Sequence, residues 1–491
     1  MKRVFLFLLL LFLILRVCLI LHSSHVYSAE ELKQVSLAID VLRGKLSIPF
    51  WCYLDSPHSG GSIFVSLILI PFFIILGKSY FTIKIVALVF SAVISIFVFL
   101  LLKDHYKDNE ILFPLTVFFI FSTPHYLQKN IFITGNTIEL LFILFLFVWL
   151  INKIVINKTR VRFSYLLLGL VAGFGLWVQY IFAIFIIGFI LFWFFNQRFS
   201  IMKTKIWQFL IGFILGFSPW IIYNLIYGFP SIYADVRIPR GLFIVSSNFY
   251  YRFKDIFLDF LPRSFHFLSV FNIEARIFAY FLYSLFIFSL LVVIFKKSKS
   301  DRARKLDYLI VTLFISGVII YSLFPLPVGS ETSIWGSLHH DSEFYILFFQ
   351  PLMFLIIILA YVRINIKVFN IVLYLVLALF MLQFSLMLDF PVKKKYLHNF
   401  RDHYAYSNIY ESGFNFAADF KIWHNVFVKL KDKKYLNNYI KGSAHCWKER
   451  ISKIEDSKLP PELKKELSSM SKSDKDIFYY YFYNFLNVDD I

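Results

Sequence analysis

Carboxylates stand at the edges of apolar runs in two stretches of this chain. Glu30 and Glu31 follow the first apolar run, and Glu139 ends the sequence Thr134-Gly135-Asn136-Thr137-Ile138-Glu139, where another run begins. A carboxylate beside hydrocarbon is costly to hold, so it marks a candidate functional site, and it can act as a general base. For Glu139 there is an alternative: its carboxylate reaches the interface or caps the first turn of a helix.

Other polar residues in these stretches suit substrate binding. Asp40 follows Glu30 and Glu31 at a spacing that could share a helix face, and Asn136 is near Glu139. His58 lies in a turn whose glycines could let the backbone approach a ligand closely, and a plain turn is the alternative. Cations near hydrocarbon could pair with a lipid phosphate, or make ordinary headgroup contacts. The binding candidates are therefore Asp40, His58, Gly60, Gly61, Asn136, Lys84, Arg237 and Arg240.

A divalent metal is the one cofactor that the sequence raises. His339, His340 and Asp341 are consecutive and combine residue types that ligate metals, and Glu139 is a further candidate ligand. A solvated loop is the alternative for the His-His-Asp cluster. The metal requirement therefore stays open.

The elements that must position these residues are membrane helices. The chain has 491 residues, of which 59% are hydrophobic and 21% aromatic, more apolar surface than a soluble domain can hide from water. Its net charge of +19 comes largely from Lys and Arg in short loops between apolar runs. Retention of positive charge in the cytoplasm explains that pattern, so we expect no nucleic acid partner.

The basic loops set the expected topology. Loops at 153–162, 197–205, 296–305 and 362–367 are separated each time by two apolar segments, so all should face the cytoplasm. The run at 62–76 is short and has no place in this alternation, which predicts a helix along the outer interface. The alternative is that it crosses and another span is wrongly assigned. About 11 transmembrane helices are expected, at 4–21, 81–102, 111–122, 131–151, 163–177, 181–195, 207–225, 277–295, 308–324, 344–361 and 368–388.

The predicted fold class is an all-α polytopic membrane protein. Residues 1–389 form the transmembrane domain, and 23–80 form an outer loop that carries juxtamembrane helices. Residues 390–491 are polar and are predicted to form a mostly helical region outside the membrane. The carboxylates of the first loop and Glu139 then share the outer face.

Motifs in matching order resemble the GT-C superfamily of polyprenyl-phosphate-sugar-dependent glycosyltransferases. The chain is most similar to the bacterial branch related to protein mannosyltransferases and lipid A aminoarabinose transferases. Many relatives have Asp-Glu where this chain has Glu30-Glu31, and often Arg where it has Glu343. The pieces are Ala29-Glu30-Glu31-Leu32, Pro57-His58-Ser59-Gly60-Gly61, Gly135-Asn136-Thr137-Ile138-Glu139, and the segments 168–177, 212–225 and 343–351.

This resemblance implies an inverting transfer of a sugar from a polyprenyl-phosphate carrier to a lipid, glycan or protein acceptor. Glu30 or Glu31 would be the base, and Glu139 would orient the acceptor or hold a divalent cation. The implied location is a bacterial inner membrane, with the N-terminus in the cytoplasm. A transporter or flippase, an assembly protein and a glycan polymerase with a diphosphate-linked donor are the alternatives. A transporter would favour mid-span charge and an internal repeat, neither of which the sequence shows.

Overall fold

The architecture is a bundle of helices, seen here in a computed structural model of the protein. All regular segments that the structure describes are helical. The predicted region 390–491 lies outside the described residues. Those residues are 2–22, 36–44, 46, 50–54, 59–158, 163–196, 202–227, 249–265, 275–298, 300–323, 348–364 and 367–388.

Sixteen α-helices follow one another along the described parts of the chain, and three of them continue into π-helical turns. These turns cover Thr116–Phe121 after α5, Asn152–Ile156 after α7 and Ile256–Phe260 after α11, and short 3₁₀ turns lie at Phe50–Tyr53 and Tyr180–Phe182. The helices are α1 Lys2–His22, α2 Ser36–Leu42, α3 Gly61–Leu76, α4 Tyr80–Lys103, α5 Asp108–Leu115, α6 Pro124–Lys129, α7 Ile138–Ile151, α8 Ser164–Val178, α9 Ala183–Asn196, α10 Met202–Tyr227, α11 Phe249–Asp255, α12 Leu261–Arg263, α13 Ala275–Phe295, α14 Asp301–Leu323, α15 Gln350–Ile364 and α16 Lys367–Leu388.

Membrane-spanning length is reached by seven helical segments among the described residues. They are Val4–His22, Phe81–Lys103, Ile138–Ile156, Lys205–Ile226, Ile277–Phe295, Asp301–Leu323 and Lys367–Leu388. Five shorter apolar helices accompany them, at Gly61–Leu76, Glu110–Phe121, Ser164–Val178, Tyr180–Asn196 and Gln350–Ile364. Each predicted span overlaps one of these helices, which confirms an all-α polytopic membrane protein.

Helix α3 does not run the length of the bundle. Gly61, its first residue, lies against Gly135 just before α7 begins. Its last residue, Leu76, is joined by a three-residue turn to α4, whose Lys84 bonds to Ile131 in the same segment before α7. Both ends of α3 therefore lie at one end of the bundle, which we call the Glu139 end. This is the path that the count of spans predicts for residues 62–76.

Helices α8 and α10, which precede and follow α9 in the sequence, run parallel and are in backbone contact. Cβ atoms at Gly169 and Gly173 of α8 would lie 2.0 and 2.1 Å from the carbonyl oxygens of Phe209 and Phe213 of α10. Gly212 and Gly216 of α10 meet α8 in the same way. Small residues four apart permit this close approach of membrane helices. A step of four residues along α8, from one glycine to the next, matches a step of four residues forward along α10. The two helices therefore run in the same direction, as alternating spans require.

The segment before α7 departs from its predicted form. Residues 131–151 were expected as one span, but the helix begins only at Ile138, and α6 lies in the gap left between the predicted spans 111–122 and 131–151. Gly135 has φ +78°, and Thr134 Oγ1 donates to Asn136 Oδ1 over 2.8 Å. Local side-chain bonds and a left-handed glycine compete with helix formation. Residues 131–137 are therefore irregular, although most of them are buried.

Candidate active site at the Glu139 end

Segments that are far apart in sequence meet at the start of α3. The Gly60 amide donates to the Trp177 carbonyl over 2.8 Å, and Ser59 Oγ donates to the Val178 carbonyl over 2.9 Å. A Cβ at Gly61 would stand 1.6 Å from the Gly135 carbonyl oxygen. The two glycines permit close approach, as predicted, but they approach the protein's own backbone. The first loop is therefore joined directly to the segment that carries Asn136 and Glu139.

Polar side chains hold the loop just before Glu139 in one shape. Thr134 Oγ1 lies 2.8 Å from Asn136 Oδ1 and 2.8 Å from Thr137 Oγ1. Thr134 and Thr137 are buried, whereas Asn136 is half-buried and reaches the surface of the bundle. Asn136 therefore exposes part of its side chain, and its binding role stays a prediction.

Glu139 occupies the first turn of α7 with its side chain wholly enclosed. It is 0% exposed, and its Oε2 accepts a hydrogen bond from the Thr137 amide over 3.1 Å. The carboxylate thus caps the helix start, where the helix dipole also favours negative charge. Full burial does not agree with a side chain that reaches the interface. Capping fixes the orientation of the carboxylate.

Buried polar side chains from neighbouring helices bond to backbone carbonyls of the segment between α5 and α7. Arg16 of α1 donates to the Ile120 carbonyl over 2.7 Å, Ser91 of α4 to that of Asn130 over 2.5 Å, and Lys84 to that of Ile131 over 3.1 Å. Non-helical backbone at membrane depth needs such partners because no water is there to supply them. Lys84, predicted as a phosphate ligand, also lies 4.3 Å from the centre of the Phe132 ring and is 0% exposed.

Sequence reasoning missed most of these supporting residues, although some left a signal. Arg16, for example, interrupts the first apolar run. Ser91 carries no signal, since Ser is unremarkable in a membrane helix, and Trp177 was named only as the end of the segment 168–177. Their roles depend on contacts between helices, which a single sequence does not record.

The other predicted site residues divide into one that is described and many that are not. Asp40 is 4% exposed, and its carboxylate lies 3.6 Å from Arg43. Among the described residues, no three His, Cys, Asp or Glu side chains gather to bind a metal. Glu30, Glu31, His58, Arg237, Arg240, His339, His340 and Asp341 lie outside the described residues.

Comparison with known families identifies the region just described. Residues 60–223 match the family model of dolichyl-phosphate-mannose-protein mannosyltransferase. No curated protein and no solved structure matches the chain. The match begins at Gly60 and includes Gly135, Glu139 and Trp177, so it covers the meeting point of these segments. It confirms the resemblance to GT-C glycosyltransferases over these residues and supports a membrane glycosyltransferase of that type.

Proposed function

We propose that this protein transfers a sugar from a polyprenyl-phosphate carrier to a lipid, glycan or protein acceptor at the outer face of a bacterial inner membrane. In this orientation the N-terminus and the basic loops are cytoplasmic, and the Glu139 end faces outward. A lipid-linked donor keeps its tail in the bilayer, so its phosphosugar must react near the interface. The short interfacial helix α3 and the loop before α7 lie at that level in the proposed orientation.

The reaction we propose is a single displacement at the anomeric carbon. Glu30 or Glu31 takes the proton of the acceptor hydroxyl or amine, and the freed electron pair forms the new bond to the anomeric carbon. The bond from that carbon to the phosphate oxygen breaks, and polyprenyl phosphate leaves with the electron pair. Attack opposite to the leaving group inverts the anomeric centre.

The remaining charged and polar candidates of the first loop, the Glu139 segment and the Arg237 segment have a place in this scheme. Arg237 and Arg240 stabilise charge on the leaving phosphate. Glu139, Asn136, His58 and Asp40 orient donor and acceptor. We assign Lys84 to support of the loop, because its fully buried ammonium donates to the Ile131 carbonyl.

One observation carries the proposal above the others. Gly60 and Gly61 are in backbone contact with Trp177 and Gly135, and a fully buried Glu139 follows four residues after Gly135. The match to the glycosyltransferase family spans all of these positions. A buried carboxylate held at the edge of the membrane domain, inside the matched region, is best explained as part of the transfer site.

Substitution of the carboxylates tests the proposal. The protein in proteoliposomes would receive radiolabelled polyprenyl-phosphate mannose, glucose or aminoarabinose, with membrane extract as the source of acceptor. We expect Glu139→Gln, and one of Glu30→Gln and Glu31→Gln, to lower transfer by about 10²-fold or more, as loss of a proton-transfer or orienting group does. Glu110→Gln at the opposite end of the bundle is the matched control and should transfer normally.

Two outcomes would contradict the proposed function. One is wild-type transfer by all three glutamine variants. The other is unchanged glycans and lipid-linked sugars, by mass analysis, in a strain that lacks the gene. A flippase would redistribute the lipid-linked sugar between leaflets without forming a glycosidic bond, so this assay separates it from a transferase.

A further inference from the structure

We infer that Gln350 is a positioning residue for the segment that carries Asn136 and Glu139. Its effect on catalysis rests on the proposed function, whereas its effect on the position of the segment does not. Gln350 is the first residue of α15 and is 0% exposed. Its amide nitrogen donates to Thr123 Oγ1 over 2.7 Å and to the Ser264 carbonyl over 2.7 Å. A carbonyl oxygen only accepts, so the group that faces Ser264 must be the nitrogen. One side chain thus joins α15, the start of α6 and the end of α12.

Thr123 links this contact to the loop before α7. It is the N-cap of α6: its Oγ1 accepts from the Tyr126 amide over 3.3 Å, and its carbonyl accepts from the Leu127 amide over 2.9 Å. A helix of six residues is too short to be stable alone, so it depends on its cap and its packing. Gln350 therefore fixes where α6 begins, and α6 leads directly into residues 130–137.

The backbone just before Thr123 needs such a constraint. Ser122 has φ +55°, a left-handed conformation that residues other than glycine seldom adopt, and it is 0% exposed. A strained residue persists only where its surroundings hold it. Arg16 bonds to the carbonyl of Ile120 on one side of Ser122, and Gln350 bonds to Thr123 on the other. Loss of either bond should let this junction relax and the loop after α6 move.

The experiment reads the position of the loop directly. Cys18, Cys52 and Cys446 are replaced by serine and Asn136 by cysteine, in full-length protein in proteoliposomes, and the rate of reaction with N-ethylmaleimide is measured. Gln350→Met keeps the shape of the side chain and removes the donor. We expect this variant to change the labelling rate by roughly tenfold, the scale of losing a buried hydrogen bond. Thr123→Val should change the labelling rate by a similar factor, whereas Thr123→Ser keeps the hydroxyl and should label at the original rate. The double variant Gln350→Met with Thr123→Val should change the labelling rate no more than either single variant does.

A matched control separates positioning from general loss of stability. Ser322→Ala removes a buried hydroxyl that bonds within its own helix, to the Val318 carbonyl over 2.7 Å, and should leave labelling unchanged. With Asn136 intact, Gln350→Met should lower kcat for sugar transfer and leave the KM for polyprenyl-phosphate sugar nearly unchanged.

Each result bears on one claim. Labelling of Gln350→Met at the control rate overturns the positioning role, whatever the activity. If Ser322→Ala changes the labelling rate as much as Gln350→Met does, the positioning role is also overturned, because the change would then reflect a general loss of stability. If Gln350→Met alters the labelling rate, the positioning role is supported. If the protein with native Gln350 and Asn136 transfers no sugar from any of the three donors, the proposed function is contradicted, and the positioning role still stands.

Discussion

The two ends of the bundle bury charge in different ways. At the end opposite Glu139, which we call the Asp307 end, the Asp307 carboxylate accepts from Tyr106 over 3.1 Å and pairs with Arg363. Arg363 also donates to the carbonyls of Val293 and Lys296, each over 2.6 Å. Opposite charges meet there and join loops and helices from distant parts of the chain.

At the Glu139 end, three buried charged side chains bond to the backbone, while the buried Asp40 carboxylate lies 3.6 Å from Arg43. Arg16 and Lys84 bond to carbonyls between α5 and α7, and Glu139 bonds to the Thr137 amide. Charge at this end shapes an irregular segment, whereas charge at the Asp307 end closes a network between side chains. We propose that the Asp307 end serves stability and that the Glu139 end serves the transfer site, and mutations at either end can test this comparison.

The largest effect should come from breaking the pair at the Asp307 end. Asp307→Ala leaves the Arg363 guanidinium buried without its carboxylate, and loss of one partner of a buried pair costs about 3–5 kcal/mol. We expect little folded protein by size-exclusion chromatography in detergent after a heating series. Asp307→Leu with Arg363→Met removes both charges and should recover much of the stability. Asp301→Ala, which removes an exposed carboxylate on the same helix, is the control, and an equal loss there would contradict the comparison.

The next effect should come from adding one carbon at the Glu139 end. Gly61→Ala places a Cβ where the Gly135 carbonyl now lies, so the first loop and the loop before α7 must separate. Overpacking of this kind costs about 1–3 kcal/mol. Sugar transfer in proteoliposomes should fall further than the melting temperature implies. Gly44→Asn is the control, since Gly44 has open space around it and asparagine tolerates its φ of +73°. Full transfer by Gly61→Ala would mean that this contact does not matter to the site.

The sequence predicted the helices well because hydrophobic length is a local property. The spacing of basic loops also predicted that α8 and α10 run in the same direction and that α3 returns to the end where it began. The start of α7 was wrong by seven residues, at 131 instead of Ile138. Residues 131–133 are apolar and read as a continuation of the span, whereas the left-handed Gly135 and the polar bonds of Thr134 end it.

The candidate site was predictable in composition but not in its support. Glu139, Asn136 and Gly61 were named from residue type and position, and the structure brings them to one end. Lys84 was named for its charge, yet its bond to Ile131 depends on how α4 packs against the loop before α7. Gln350 could not be chosen over other buried polar residues, because its partners lie 227 and 86 positions away.

The smallest effect concerns pH, and it belongs to the Asp307 end. His105, in the loop between α4 and α5, donates from Nε2 to Asn152 Oδ1 over 2.7 Å. Burial lowers the pKa of His105 below its ordinary value because it disfavours the imidazolium, against the opposing influence of Asn152, Asp104 and Asp307, while Arg302 adds to the lowering. Within the described part of the chain, His105 Nδ1 has no hydrogen-bond partner for the added proton.

The sign of the pH effect follows from which state binds the proton first. The unfolded chain protonates His105 near pH 6.5, whereas the folded protein does so only at lower pH. The stabilising contribution is therefore complete above about pH 6.5 and is lost as the pH falls toward the folded pKa. Melting temperatures between pH 7.5 and 5.5 should fall more steeply for the wild type than for His105→Gln, which keeps a donor toward Asn152 and does not titrate. Parallel curves would show that His105 is not held neutral, and the Asp307 end would then owe its acid sensitivity to carboxylates alone.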